Sequence, residues 1–232
     1  MYGFLLIDKP AGITSHDVVD KLRRITGIKK IGHAGTLDPF ATGLLLMAIG
    51  REATREISGF VGLDKVYEAE FVLGATTETL DSEGDFIQDV GAYDHTSLRD
   101  EIEKAMQSLT GDIEQIPPMY SAIKIGGKKL YQLARKGETV ERPARSVTIH
   151  EFSLLDEPSV EDDLTILNVR ISCSSGTYIR ALARDLAEKL GTLGYVKTLR
   201  RTSIGDYLIK NALPLTELTN DQISANLWDV SH

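Results

Sequence analysis

Gly32-His33-Ala34-Gly35-Thr36-Leu37-Asp38-Pro39-Phe40-Ala41-Thr42-Gly43 is the densest unusual run in the chain. A residue before proline is held away from right-handed helical geometry, so Asp38 stands in extended or turn backbone. The small residues around it allow another molecule to come close. Taken alone, the segment is an aspartate in a turn. Upstream, residues 2–8 read as a strand closed by Lys9-Pro10-Ala11-Gly12. Ser15 is the expected N-cap of a helix through Ile25, with Val18, Val19, Leu22 and Ile25 on one face and Gly27 ending it. Residues 28–43 read as loop, followed by the apolar run 44–49 and a short helix over 52–60.

Further along, residues 65–74 alternate cleanly, Val66, Glu68, Glu70 and Val72 against Tyr67, Ala69, Phe71 and Leu73, which predicts a strand. A polar turn region spans 75–85. Leu98, Ile102, Ala105, Met106 and Leu109 have helical spacing and stop at Gly111. A short strand over 119–125 leads into Gly126-Gly127, which opens a basic hairpin-like or helical excursion through Arg145. Strands over 147–155 and 164–173 flank an acidic loop. Ile179, Leu182, Ala183, Leu186 and Leu190 form an amphipathic helix ended by Gly191. Two short strands, 195–200 and 203–209, precede a terminal helix. This mixture lacks the regular alternation of a doubly wound sheet and predicts an α+β fold with a long mixed or antiparallel sheet.

Composition narrows the function classes. The 232 residues are 42% hydrophobic and 26% charged, which excludes a disordered or fibrous chain. No apolar run approaches a membrane span, and the N-terminus lacks the pattern of a signal peptide. One cysteine, Cys173, fits a reducing cytoplasm. The net charge of −8 argues against a nucleic-acid partner until it is resolved along the chain. Residues 21–30 carry +5, residues 124–145 carry +5 and residues 180–201 carry +4; residues 66–116 carry −11 and 151–163 carry −6. Such runs can be solvated faces of unrelated helices. Brought onto one face, the basic runs would form a phosphate-binding surface.

Several motifs fail on inspection. Gly126-Gly127-Lys128-Lys129 departs from the P-loop pattern, and no GxGxxG or GxSxG is present. The histidines have no ligand spacing, so no metal is expected. Cys173 could add to C6 of a pyrimidine, but its place after Leu167, Val169 and Ile171 predicts a buried structural thiol.

With the opening Asp8-Lys9-Pro10-Ala11-Gly12-Ile13-Thr14-Ser15, the Asp38 segment resembles the TruB-type tRNA pseudouridine synthases. The resemblance continues through Lys65-Val66-Tyr67, Pro118-Met119-Tyr120-Ser121-Ala122, Gly127-Lys128-Lys129-Leu130-Tyr131, Gly176-Thr177-Tyr178-Ile179-Arg180 and Leu199-Arg200-Arg201. The motifs stand in the family's order over about residues 2–210, a set far more specific than any single member.

The resemblance implies the pseudouridine-synthase fold, a central mixed or antiparallel sheet flanked by helices with a basic RNA-gripping loop. It also implies isomerisation of a T-loop uridine, position 55 of the tRNA, without cofactor or metal. Asp38 matches the catalytic aspartate, which assists departure of the uracil by attack on the sugar or by proton removal from it. Tyr67 matches the tyrosine that stacks on the target base; read from its strand alone, it is a core residue. Arg180 matches the arginine paired with that aspartate, where periodicity alone makes it a surface residue. Tyr178 and Leu199 match pocket-lining residues. His33 matches a histidine filling space that the flipped nucleotide vacates. Flipping costs about a few kcal/mol, offset by stacking and phosphate contacts.

Lys9 and the basic segments would supply those phosphate contacts: Lys124, Lys128, Lys129, Arg135, Lys136, Arg142 and Arg145 in the loop 124–145, with Arg200 and Arg201 beyond it. The family reading divides the chain into a catalytic domain over 1–210 and a short tail over 211–232, with the RNA-binding PUA domain of many relatives absent or vestigial. The implied partner is the T-arm of tRNA, with no membrane and no obligate protein partner. Two alternatives share some of these features. One is a guide-RNA-dependent synthase of the dyskerin type. The other is a non-catalytic tRNA-folding chaperone, which would have no need of Asp38, Tyr67 and Arg180 together.

Overall fold

The computed structural model describes residues 2–88, 98–121, 123–125, 127–134, 136–138, 140–216 and 218–229. The chain divides into two units: Met1–Glu68 with Leu199–His232, and Ala69–Thr198. The first unit begins with β1 (Gly3–Lys9), α1 (Ser15–Thr26), β2 (Ile31–Ala34), β3 (Thr42–Ile49), α2 (Arg51–Glu56), α3 (Ser58–Val61) and the first residues of β4 (Lys65–Leu73). β1 and β3 pair antiparallel from Gly3 opposite Ile49 to Lys9 opposite Gly43, and β2 pairs antiparallel with β3.

The apolar run of β3 follows from burial on both faces. Leu45, Met47 and Ile49 pack with Val18, Val19 and Leu22 of α1, while Leu44, Leu46 and Ala48 pack with Ala53 of α2 and Phe60 of α3. Each such fully buried aliphatic side chain contributes about 1.5–3 kcal/mol. The cap of α1 is Thr14, not Ser15. Its hydroxyl accepts from the Asp17 amide at 3.1 Å and the Asp17 carboxylate accepts from the Thr14 amide at 2.8 Å, a reciprocal capping box. Gly27 closes the helix at φ 71°, a conformation that favours glycine.

The second unit continues with β5 (Ala75–Thr77), β6 (Phe86–Gln88), α4 (Leu98–Ser108), β7 (Gly111–Gln115), β8 (Lys124–Ile125), β9 (Lys128–Lys129), α5 (Leu130–Ala134), β10 (Arg145–Leu154), β11 (Ser159–Glu161), β12 (Leu164–Cys173), α6 (Ile179–Lys189) and the start of β13 (Gly194–Ile204). Its strand order is β4-β12-β10-β7, with β11 beside β12. β10 runs antiparallel to both neighbours. Leu167, Val169, Ile171 and Cys173 are buried in alternation, so the thiol is a core group as the pattern predicts.

The chain then returns to the first unit through the rest of β13, β14 (Tyr207–Leu208), β15 (Leu213–Pro214) and α7 (Asn220–Asn226). β13 lies parallel to β3 and β15 parallel to β1, which makes this sheet mixed. Leu215, Leu218 and Ile223 enter the same core as α1, and the Trp228 backbone bridges Phe4.

The expected α+β fold with a mixed sheet flanked by helices is what the structure has. Local departures have local causes. The loop 28–43 contains β2, because Ile31 and Ala34 are buried against β3. The region 52–60 is two helices rather than one, and 75–85 opens a small hairpin of β5 with β6. Where two strands were expected over 195–200 and 203–209, β13 runs unbroken through Ile204 and turns at Gly205 into β14, which pairs back onto it. No helix among the described residues is long and apolar enough to cross a membrane.

Candidate active site

Residues 35–41 connect β2 to β3 without a sheet partner, so their backbone groups need other partners. The first unit supplies them at the residues on either side of Asp38. The Ser15 hydroxyl accepts from the Leu37 amide at 2.9 Å and donates to the Leu37 carbonyl at 3.1 Å. The Pro39 carbonyl accepts from the Gly12 amide at 2.9 Å and from Lys9 Nζ at 3.2 Å. Asp38 itself is half-buried, and its carbonyl accepts from the Ala41 amide at 3.2 Å.

Arg201 braces the ends of the same loop, donating from Nη2 to the Gly35 carbonyl at 3.0 Å and from Nε to the Leu44 carbonyl at 2.8 Å. Gly43 is required here. At its φ of 106°, a Cβ would stand 2.3 Å from the Arg201 carbonyl oxygen.

Two of the cations expected to contact RNA are buried in this structure. Lys9 is fully buried and donates also to the carbonyls of Pro10 at 2.9 Å and Ile13 at 2.7 Å. Arg201 is 1% exposed. Both cations donate to backbone carbonyls at the Asp38 loop and its flanks. Arg200 behaves differently. It is half-buried and donates to both carboxylate oxygens of Asp8, at 3.1 and 2.7 Å.

His33 lies on β2, with Nδ1 buried and without a hydrogen-bond partner among the described residues. Burial holds its pKa below the usual histidine value, helped by the nearby Arg201 and His16. Leu199 is buried on β13, and its carbonyl accepts from the Thr42 hydroxyl at 3.4 Å. Tyr67 stands on the buried side of β4 at 8% exposure.

In the second unit, Arg180 is 4% exposed at the start of α6. Its guanidinium forms an ion pair with Asp81 at 3.0 Å and donates to the carbonyls of Thr79 and Tyr120, each at 2.8 Å. Arginine's planar fork suits such simultaneous recognition. Asp81 also accepts from the Thr79 hydroxyl at 2.6 Å and the Glu83 amide at 3.0 Å, so the buried pair is well satisfied. Tyr178 begins α6, and the Gln115 side chain grips its backbone, donating to the carbonyl at 3.1 Å and accepting from the amide at 2.7 Å.

The basic excursion contains the hairpin of β8 with β9, Lys124 opposite Lys129, and the short helix α5. Lys136 and Arg145 are exposed, while Arg142 donates to the Pro117 carbonyl at 3.0 Å. Arg135 lies outside the described residues. In the first unit Arg24, Lys29 and Lys30 are exposed, as are Arg51 and Arg55 of α2, which the charge runs did not single out.

Asp81, Gln115 and the contact of Ser15 with Leu37 were not read from the sequence. Ser15 and Gln115 reach partners 22 and 63 positions away, beyond the range of any helical or strand period.

The TruB family pseudouridylate synthase N-terminal domain matches residues 23–179, and the tRNA pseudouridylate synthase B C-terminal domain matches residues 180–229. The tRNA pseudouridine synthase B of Geobacillus thermodenitrificans is 49% identical over 219 residues, covering 94% of this chain and 72% of the relative. That of Corynebacterium glutamicum strain R is 48% identical over 228 residues, 97% of this chain and 75% of the relative. Among solved structures, a chain of an H/ACA RNP bound to a substrate RNA containing 2′-deoxyuridine matches with a TM-score of 0.66 at 25% identity. That match covers 93% of this chain, which spans about half (52%) of the solved one.

Proposed function

The chain belongs to the TruB family of pseudouridylate synthases and is an isomerase of tRNA uridine, and from that premise we propose that its target lies in the T-loop, position 55, with Asp38 as the catalytic carboxylate. In the reaction the N1–C1′ bond breaks and a C5–C1′ bond forms. The proton on C5 leaves and N1 takes one up, so no electrons are gained or lost. Asp38 assists departure of the uracil, Tyr67 stacks on the base, and Arg180 supplies the positive charge of the catalytic set. His33, Tyr178 and Leu199 serve the flipped nucleotide. Residues 1–210 carry this work, with 124–145 as the RNA-gripping loop, and no protein partner is needed.

The observation that carries the reading is the bracing of the Asp38 loop. Leu37 and Pro39 are each held by side chain or backbone, and Arg201 ties Gly35 to Leu44. Catalytic carboxylates depend on such fixed placement, because donors and acceptors aligned in advance lower the cost of reaching the transition state. Residues 21–30 and 124–145, with Arg51 and Arg55, supply positive charge for the RNA backbone.

The test is direct. Purified protein is incubated with unmodified tRNA and no guide RNA, and pseudouridine is mapped by its chemical adduct. Product in the T-loop is expected from the wild type, and none from Asp38→Asn at unchanged tRNA binding. An active Asp38→Asn overturns the assignment of Asp38. Product only after a guide RNA is added favours the dyskerin-type reading instead.

A further inference from the structure

Ser15 is 2% exposed at the first position of α1, yet Thr14 already caps that helix. Its hydroxyl is therefore free of the task its position suggests. It is used instead on Leu37, with both the amide and the carbonyl of one residue bound to one oxygen. Leu37 directly precedes Asp38. The peptide between them sets where the Asp38 Cα–Cβ bond points, so a bond on each side of Leu37 restricts the rotation that would swing the carboxylate.

We propose that Ser15 is a positioning residue of the isomerase, whose hydroxyl fixes the backbone before Asp38 and so aims its carboxylate at the nucleotide. The proposal rests on reading Asp38 as catalytic. Two neutral hydrogen bonds of this kind contribute only about 1 kcal/mol each to stability, a modest share for a 232-residue chain. Placement matters more, since a shift of about 1 Å at a reacting group can cost about a hundredfold in rate.

Ser15→Ala keeps the volume and removes the hydroxyl; Ser15→Thr keeps the hydroxyl. Three measurements are made on each: hydrogen exchange at the Leu37 amide, tRNA affinity by filter binding, and the single-turnover rate of tritium release from tRNA labelled at uridine C5. For Ser15→Ala the expected result is faster Leu37 exchange and a rate lowered at least about tenfold, with affinity within about twofold of wild type. Ser15→Thr should recover the rate to within about threefold.

A wild-type rate in Ser15→Ala overturns the proposal. So does a rate loss matched by an equal loss of affinity, or a folded Ser15→Thr as slow as the alanine variant. Should either variant fail to fold, Ser15→Cys decides: its weaker partner in nearly the same space must lower the rate, and a wild-type rate again overturns the idea. Asp38→Asn is run in parallel. If it is active, the catalytic reading fails, while Leu37 exchange still reports whether Ser15 fixes the loop.

Discussion

His33 carries a buried Nδ1 without a hydrogen-bond partner among the described residues, and burial, Arg201 and His16 together keep its pKa below the ordinary value near 6.5. The unfolded chain therefore binds a proton at His33 at a higher pH than the folded chain does. Above about pH 6.5 neither state is protonated there, and the stability contribution is complete; it is lost as the pH falls from 6.5 through the lower folded value. The melting temperature of the wild type should fall more between about pH 7.5 and 5.5 than that of His33→Gln, measured side by side. Equal falls would show that this proton plays no part. The same neighbourhood shows how little a charge reveals alone. Lys9 and Arg201, both expected to contact RNA, are buried and donate to carbonyls, in Arg201's case 166 positions away. Read locally, Asp38 is an aspartate in a turn beside proline and glycine; only the resemblance of the surrounding motifs to a known family singles it out.

At the scale of elements, capping glycines and periodic apolar residues marked helices α1, α4 and α6 to within a few residues. The strand β3 was legible as a run of apolar residues, though not its pairing. β2 was hidden because four residues, two of them partly exposed, carry no alternation long enough to read. The excursion 124–145 was expected to be hairpin-like or helical, and it contains both. Its backbone places Lys128 and Lys129 on one strand of a two-residue hairpin, with exposed Lys136 after the following helix. If this element clamps phosphates, replacing Lys128, Lys129 and Lys136 by Gln should weaken tRNA binding and reduce the slope of log K against log salt by about 2, at roughly 0.7 per lost contact. Titrations at several salt concentrations read that slope. An unchanged slope would remove the hairpin from the RNA interface.

For the whole molecule, net charge is a poor guide to the partner. A formal −8 coexists with exposed cations on α1, α2 and the 124–145 excursion, because binding responds to local potential rather than to the sum. The acidic stretch 151–163 lies mostly exposed on β10, β11 and their connection. Reversing Glu151 and Glu161 to Lys moves the formal charge by +4, yet tRNA affinity at fixed salt should stay within about twofold, since those carboxylates are expected to face away from the RNA. A marked tightening would place that face near the nucleic acid. The sequence by itself determined the fold class and the buried thiol, because hydrophobic period acts over a few residues, and it carries in order the motifs on which the family resemblance rests. Only the tertiary structure decided which charges turn inward, that Asp81 meets Arg180, and that Ser15 holds Leu37. Those choices depend on contacts between residues far apart in the chain, where desolvation and hydrogen-bond geometry, not local propensity, select the partner.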